Sequence, residues 1–577
     1  MAQQKLELTW VGKDKAPKLE PRLLLEIPEK SYHASEKHGE DDQFENVLIH
    51  GDNLLALKAL EDKYTGQVKC VYIDPPFNTG AAFEHYDDNM EHSIWLDLMA
   101  QRFRIIHKLL KKSGCIFVNL DDSEAAYAKI LLDEIFGRNN YLNDIIVSTN
   151  ASFGFKSTSD GIFKQANHLL FYAKDKKEFK LNADKIFVEK EYDSQYKFVF
   201  ENTDKPESEW TWRSIRDVVA EQMGFESAAK AKKSNPQELE KQISFYAVEN
   251  CDRVFRTASV TGGALKKRKD TIEYSKKNRN VIVRHPSDDM DYMFIGGERV
   301  IFYSDRIKEI DGVRVPAELL TDVWNDISIE GLAKEGGVDF PKGKKPEKLI
   351  KRCIELTTEK GDLVMDSFLG SGTTAAVAHK MGRRWIGIEL GDHCFSHCVP
   401  RLKNVVDGSD QSGISKSVNW QGGGGFRFYE LAPSLIKKDE YGVSVIDSEK
   451  FDEARLAEAV CKIMGFTYKP SAEEYFIHGQ STENAYIYVT TNYMTAEHMR
   501  SISQALGSKR FLSICCKAFE NVPADCENLN VQKIPKAILD KCEWGKDDYS
   551  LNVKNLPMAE NSVKAKANVN SQQELDL

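Results

Sequence analysis

Residues 362–390 read DLVMDSFLGSGTTAAVAHKMGRRWIGIEL, and their pattern decides the fold. LVMD is a short apolar run of the kind that makes a buried strand, TTAAVAHKMG suits a helix, and RWIGIEL is apolar again. Strand, glycine-bearing turn, helix and strand in that order argue for a parallel sheet flanked by helices. The turn carries Asp366, Phe368, Gly370, Gly372 and Thr373. Glycines here permit a sharp bend and let a ligand approach the backbone N–H groups at a helix start. Glu389 ends the next strand, 17 residues after Gly372 (389 − 372). An acidic side chain in that place can accept both hydroxyls of a ribose. The loop lacks the Gly-Lys-Ser/Thr of a phosphate cradle, which excludes that class of nucleotide triphosphatase. A dinucleotide oxidoreductase would suit the same spacing, and an ordinary strand-to-helix turn would look alike.

Outward from this stretch, the rhythm recurs towards the N-terminus. VLIHGD (47–52) reads as a buried strand, and NLLALKALEDKY as a helix with Leu54, Leu57 and Leu60 on one face. VKCVYID (68–74) is a second strand. A helix over about 93–112 and the strand CIFVNL follow. The rhythm fades after about residue 185 and returns with the helix KPEKLIKRCIEL (345–356). The expected fold is an open, mostly parallel α/β sheet with helices on both faces. It is assembled from 46–185 and 321–405, which must pack together for either to bury its strands. Residues 1–45 read as a flexible arm, 186–320 as an insert, and 406–429, with QGGGGF (421–426), as a linker. A C-terminal α/β domain over 430–550 and a disordered polar tail over 551–577 complete the expected organisation.

The second motif is Asp74-Pro75-Pro76-Phe77-Asn78, at the C-terminal end of a strand, where open α/β sheets place ligands. Two prolines fix the backbone and supply no N–H donors, so carbonyls and the Asp74 carboxylate remain as acceptors. An aryl amine is a poor nucleophile because its lone pair is delocalised into the ring. Acceptors holding its two hydrogens would favour a pyramidal nitrogen and free that pair for attack on a sulfonium methyl. Phe77 would stack on a base drawn out of its helix. A proline-stiffened turn is the plainer reading of the same residues.

The net charge of −10 argues against nonspecific polyanion binding over the whole surface, yet phosphate contact needs only a local basic patch. Residues 251–280 supply one, with nine Lys or Arg against three Asp or Glu, including Lys266, Lys267, Arg268 and Lys269. A solvated charged loop would have the same composition. Trp210, Trp212 and Phe245 nearby are expected to be core. His393, Cys394, His397 and Cys398 have a spacing that could bind zinc. A helix packed on a sheet would instead bury these cysteines as small apolar residues, so no metal is expected. Eleven scattered cysteines suit reduced thiols in a cytoplasm. No apolar run reaches the length of a membrane span, and MAQQKLELTW has no signal-peptide pattern.

Taken together, the motifs resemble the β-type amino-methyltransferases of DNA, and within them the modification subunits of type III restriction systems. The resemblance runs over about 46–405. It takes in Gly51-Asp52-Asn53-Leu54, DPPFN, LLKKSGCIFVNLDD with LLDEIFG after it, NHLLFYAK (167–174), and Lys345-Pro346-Glu347-Lys348-Leu349 ahead of FLGSGTT. It implies a Rossmann-like, circularly permuted sheet, catalytic half before cofactor half, with an inserted target-recognition domain. The order agrees, since Asp74 precedes Asp366 by 292 residues (366 − 74). The implied cofactor is S-adenosylmethionine. By position, Asp366, Phe368, Gly370, Gly372 and Thr373 would line its methionine and adenosine, and Glu389 would hold the ribose. Asp52 would face the adenine, and Lys345 the methionine carboxylate. Asp74, Pro75, Pro76 and Phe77 would form the base pocket, with Phe77 where Tyr is commoner. An initial Asp points to the N6 amine of adenine. Methylation of cytosine or of RNA, and a noncatalytic DNA-binding subunit, are the alternatives. The implied partners are double-stranded DNA, a second copy of the chain, and a helicase-nuclease restriction subunit.

Overall fold

The computed structural model describes residues 7–10, 12–14, 17–37, 39, 42–77, 92–148, 165–286, 292–310, 312–328, 331–340, 343–534 and 536–549. By contacts these fall into two compact units, 1–180 with 322–577, and 181–321.

The first unit is built on an eleven-stranded mixed sheet. Its elements in chain order are β1 (Asn46–His50), α1 (Asn53–Tyr64), β2 (Val68–Ile73), α2 (His92–Leu109) and β3 (Leu110–Leu120). After these come α3 (Ala125–Leu132), β4 (Tyr141–Ser148), β5 (Ala166–Ala173), β6 (Val323–Trp324) and α4 (Glu347–Thr357). The last are β7 (Leu363–Asp366), α5 (Thr373–Lys380), β8 (Arg384–Glu389), α6 (Val399–Val406) and β9 (Gly425–Leu431). The main path across the sheet is Leu24–Glu26, β9, β1, β8, β7, β2, β3, β5, β4, β6. The run from β9 to β3 is parallel throughout, because helices return the chain to the same end of the sheet. β5 runs antiparallel between β3 and β4. Leu54, Leu57 and Leu60 of α1 are buried, as their spacing predicts.

Register fixes the chemistry. Met365 of β7 pairs with Val71 of β2, so Asp366 and Asp74 emerge at the same edge from neighbouring strands. Ile73 pairs with Val118 of β3, which brings Asn119 beside Asp74.

Two segments differ from the sequence reading. Gly425–Leu431, split there between a linker and the next domain, is a strand paired in parallel with β1. Four glycines mask a strand whose Phe426 and Phe428 both point into the core. Part of the segment read as a flexible arm is likewise pinned. Leu24–Glu26 pairs with β9, and buried Glu20 forms an ion pair with Arg22 at 2.7 Å while accepting from Ser434 and Leu435. Charged composition suggested solvent, but these charges are paired and hydrogen-bonded, which is what permits burial.

The same unit contains a five-stranded sheet whose central strand is Ala485–Met494, flanked on one side by Phe511–Phe519, with Leu512, Ile514, Cys515 and Cys516 buried. The helices Glu453–Met464 and Ala496–Leu506 belong to this part. The expected tail over 551–577 lies outside the described residues.

The second unit is chiefly a six-stranded antiparallel sheet and five helices. Trp210 and Trp212 pack against Phe200 and Phe255. Phe245 is exposed instead of core. The helix Pro236–Glu249 buries Leu239, Ile243 and Ala247 at spacings of four, which turns Phe245 outward. Among the described residues no helix is long and apolar enough to cross a membrane. All eleven cysteines are free thiols, and every one except Cys542 is buried.

Candidate functional site

The loop between β7 and α5 turns on two left-handed glycines, Gly370 (φ 57°) and Gly372 (φ 82°). A side chain at either would be strained by the left-handed backbone. Asp366 accepts from the Phe368 N–H at 2.9 Å and from Thr374 Oγ1 at 2.6 Å. Its burial pushes the carboxyl up to about 7, against the pull of those two donors. Glu389, at the end of β8, reaches under the loop and accepts the Gly370 N–H at 2.7 Å. Its other oxygen takes the N–H groups of Leu390 and Gly391 and lies 3.0 Å from His393 Nε2. Burial alone would raise this carboxyl. His393 and the backbone donors outweigh that and hold it below its ordinary value.

Two side chains from elsewhere in the sequence, Arg401 and Asn53, brace the loop directly and are themselves held by others. Arg401 of α6 donates to Thr373 Oγ1 at 2.8 Å and pairs with the fully buried Glu347 at 2.8 Å. Glu347 also accepts from Lys380. Asn53 donates to the Ser367 carbonyl at 2.7 Å and accepts from buried Arg102 at 2.5 Å. Ser367 Oγ is buried without a hydrogen-bond partner among the described residues. An orphaned hydroxyl, left-handed glycines and an acidic strand end offer donors and acceptors that fit an amino-acid nucleoside such as S-adenosylmethionine. Phe368 packs into the core of the sheet.

Asp52 is the N-cap of α1, accepting from Leu55 N–H at 3.0 Å. Its second oxygen accepts the Tyr549 N–H at 3.0 Å and faces Arg102 at 3.6 Å. The residue expected to face an adenine is thus already held by the chain's own groups.

At the end of β2, Asp74 Oδ1 accepts from Asn119 Nδ2 at 2.8 Å, and Oδ2 lies 2.5 Å from the Lys345 ammonium. That ammonium also sits 5.0 Å from the centre of the Phe77 ring. The Pro76 carbonyl accepts the Trp95 indole N–H at 2.8 Å, which anchors the proline turn to α2. One of the carbonyls expected to face a substrate amine is therefore partly engaged. Asn78 lies outside the described residues. The structure brings together Asp74, Phe77 and Lys345 and sets them one strand from the glycine loop. Trp95 lies in no motif, and Asn119 lies in the segment LLKKSGCIFVNLDD, which from sequence alone has no role at the site. A further sequence signal for Asn119 is that it is a polar residue near the end of a buried strand.

In the second unit Lys266, Lys267 and Lys269 are exposed, whereas Arg268 is buried. Its guanidinium stacks at 3.7 Å on Tyr292, whose ring Arg299 also approaches, at 4.4 Å. Arg268 is thus a packing residue, unlike its three neighbours. His393 and His397 are engaged by Glu389 and the Asp339 carbonyl, and Cys398 by the Gly370 carbonyl. Among the described residues no group of three or more His, Cys, Asp or Glu could hold a metal.

A family model described as "DNA methylase" matches residues 68–398. The "Probable type III restriction-modification enzyme HindVI Mod subunit" of Haemophilus influenzae is 35% identical over 465 residues, covering 76% of this chain and 60% of that one. The match thus spans less than two thirds of that relative. The type III EcoP15I Mod subunit of Escherichia coli is 25% identical over 525 residues, 79% of this chain and 76% of that one. Among solved structures, the M1.HpyAVI–SAM complex overlaps 62% of this chain and 98% of its own at 15% identity. Its TM-score of 0.30 is too low to carry anything over.

Proposed function

The chain belongs to the DNA methylase family, and from that premise we propose that it is a site-specific DNA adenine methyltransferase, the modification subunit of a type III-like restriction system. The observation that carries the reading is the adjacency of Asp74 and the Asp366–Thr374 loop at the ends of paired parallel strands. Asp74 accepts one N–H of the target amine, and the proline turn offers a carbonyl for the other. Held so, the nitrogen keeps its lone pair directed along a line of attack. Asn119 fixes the Asp74 carboxylate, Trp95 fixes the turn, and Phe77 stacks on the base. Glu389 and the loop amides orient the ribose and the amino-acid part of the cofactor. S-adenosylmethionine, when bound, supplies a methyl group on a sulfonium. In the transfer the sulfonium would become a neutral thioether as the amine took the methyl, and the amine would release one proton to the Asp74 carboxylate and on to water. No covalent enzyme adduct is needed, and Cys70, buried in β2, has no part in the chemistry.

The insert over 186–320 is proposed to read the DNA sequence, with Lys266, Lys267 and Lys269 on phosphates. Replacing these three with Ala is expected to flatten the salt dependence of DNA binding by up to about 0.9 for each phosphate no longer neutralised, leaving cofactor affinity unchanged. Relatives named as type III Mod subunits support a restriction subunit as partner. The C-terminal part and the prevalence of two-fold assemblies favour a homodimer. Such an enzyme would work in the cytoplasm. The test is incubation with methyl-labelled S-adenosylmethionine and duplex DNA, followed by digestion to nucleosides. Label in N6-methyldeoxyadenosine is the expected result. Label in N4-methyldeoxycytidine, or only in RNA, would overturn the reading.

A further inference from the structure

We infer that the C-terminal strap Glu543–Tyr549 closes the base end of the cofactor's place, and that strap and cofactor compete for Asp52. The inference rests on the methyltransferase reading above and adds a regulation of that same site.

Strand order sets the direction in which the cofactor lies. β1, β8, β7 and β2 are consecutive neighbours in the sheet. A methyl donor must bring its sulfonium towards Asp74 at the end of β2, while Glu389 at the end of β8 takes its ribose. The base, on the far side of the ribose from the sulfonium, then points away from β2 and towards the end of β1. His50 of β1 pairs with Glu389, and the Gly51 N–H donates to the Glu389 carbonyl at 3.0 Å. Asp52 therefore stands at the same edge, one strand over from the ribose acceptor. A carboxylate there suits the amino group of an adenine base.

In the structure that acceptor is taken. The Tyr549 N–H donates to Asp52 Oδ2 at 3.0 Å, and the Asp52 side chain is fully buried. Tyr549 is itself buried and packs into the core of the large sheet. Along the strap, the Glu543 N–H donates to the Lys18 carbonyl at 2.8 Å and the Gly545 N–H to Ser434 Oγ at 3.0 Å, and Asp547 pairs with Arg22 at 2.8 Å. Glu543, Gly545, Lys546 and Asp547 are nevertheless exposed. The Tyr549 hydroxyl and ring are met by the strap's own Glu543 and Lys546, at 3.2 and 4.0 Å, so these contacts travel with the strap when it leaves. Asp52 keeps its helix cap to the Leu55 N–H and its proximity to Arg102 with the strap in or out. Exchanging the Tyr549 N–H for an amino N–H of the base leaves the carboxylate with a donor in both states, so the exchange itself costs little. A strap that is shut most of the time lowers the apparent cofactor affinity by the fraction of chains in which it is open.

The test applies hydrogen exchange and calorimetry to the full chain with S-adenosylhomocysteine. The ligand should speed amide exchange across residues 543–549 while slowing it in the Asp366–Thr374 loop. S-inosylhomocysteine, whose base carries an oxo group in place of the amino group, should slow the loop without freeing the strap. Tyr549→Ala should tighten S-adenosylhomocysteine by about threefold or more, the gain from a larger open fraction. Trp544, whose indole N–H donates to the Leu539 carbonyl at 2.8 Å, anchors the strap away from Asp52, and Trp544→Ala should act in the same direction. Exchange at 543–549 that slows or does not change on binding would overturn the inference, and so would weaker or unchanged binding in both variants. Either result leaves the methyltransferase reading standing. A chain that does not bind S-adenosylhomocysteine at all would overturn that reading as well.

Discussion

The glycine loop and the Asp74–Phe77 rim stand at the ends of adjacent strands, yet they are held in different ways. Around the loop, Asp366, Glu389, Thr373 and Thr374 are all buried, and each is hydrogen-bonded within the protein. Its braces come from α1, α4 and α6 and from the strand end of β8. Among the described residues the rim is hydrogen-bonded or ion-paired by Asn119, Lys345 and Trp95, and Asp74 and Phe77 are only partly buried. The loop is preorganised for a small ligand that always has the same shape. Asp74 and Phe77 of the rim keep partial exposure, which suits a ligand that would arrive attached to a DNA strand. Stability is thus concentrated on the cofactor side, and the chemistry on the less constrained side.

This contrast predicts unequal costs for similar substitutions. The largest effect on folding should come from Glu347→Ala, which leaves Lys380 and Arg401 buried without their shared carboxylate. Removing one partner of a buried ion pair costs about 3–5 kcal/mol, and chemical denaturation of the full chain should register it. A loss below about 1 kcal/mol would mean that the loop does not depend on its braces. Next is Glu389→Ala, which should weaken S-adenosylmethionine by about 1.5–3 kcal/mol in calorimetry, the scale of a charged hydrogen bond. Tighter binding of NAD than of S-adenosylmethionine would break the assignment of the loop. The smallest is Phe77→Ala at the rim. It should weaken capture of the target base by about 1–3 kcal/mol, the usual stacking contribution, with unfolding nearly unaffected. A fall in stability as large as that of Glu347→Ala would erase the contrast between the two regions.

The loop is far more legible in the sequence than its surroundings. Asp366, Gly370, Gly372 and Glu389 act through their own backbone or their own position at a strand end, and spacing records both. The partners that set the rest come from distant parts of the chain. Lys345, expected at a methionine carboxylate, stands against Asp74, because only the fold brings α4's start to the end of β2. Asn119 reaches Asp74 through strand register, and register is not written in either strand alone. Asp52 is marked by its place after β1, but its Tyr549 partner lies 497 residues away. Glycine content hides β9, and charge hides the pinned pair Glu20 and Arg22. Arg268 looks like its lysine neighbours in composition and differs from them because Tyr292 lies under it.

If one sheet edge carries two separable functions, cofactor binding on the loop and transfer chemistry at Asp74, then a single substitution should part them. The most direct test measures both in Asp74→Ala, with methyl incorporation into duplex DNA and calorimetric binding of S-adenosylmethionine on the same preparation. The account predicts that incorporation is abolished while cofactor affinity stays within a few fold of the natural chain. Wild-type turnover in Asp74→Ala would contradict it, and so would loss of cofactor binding in a chain that remains folded.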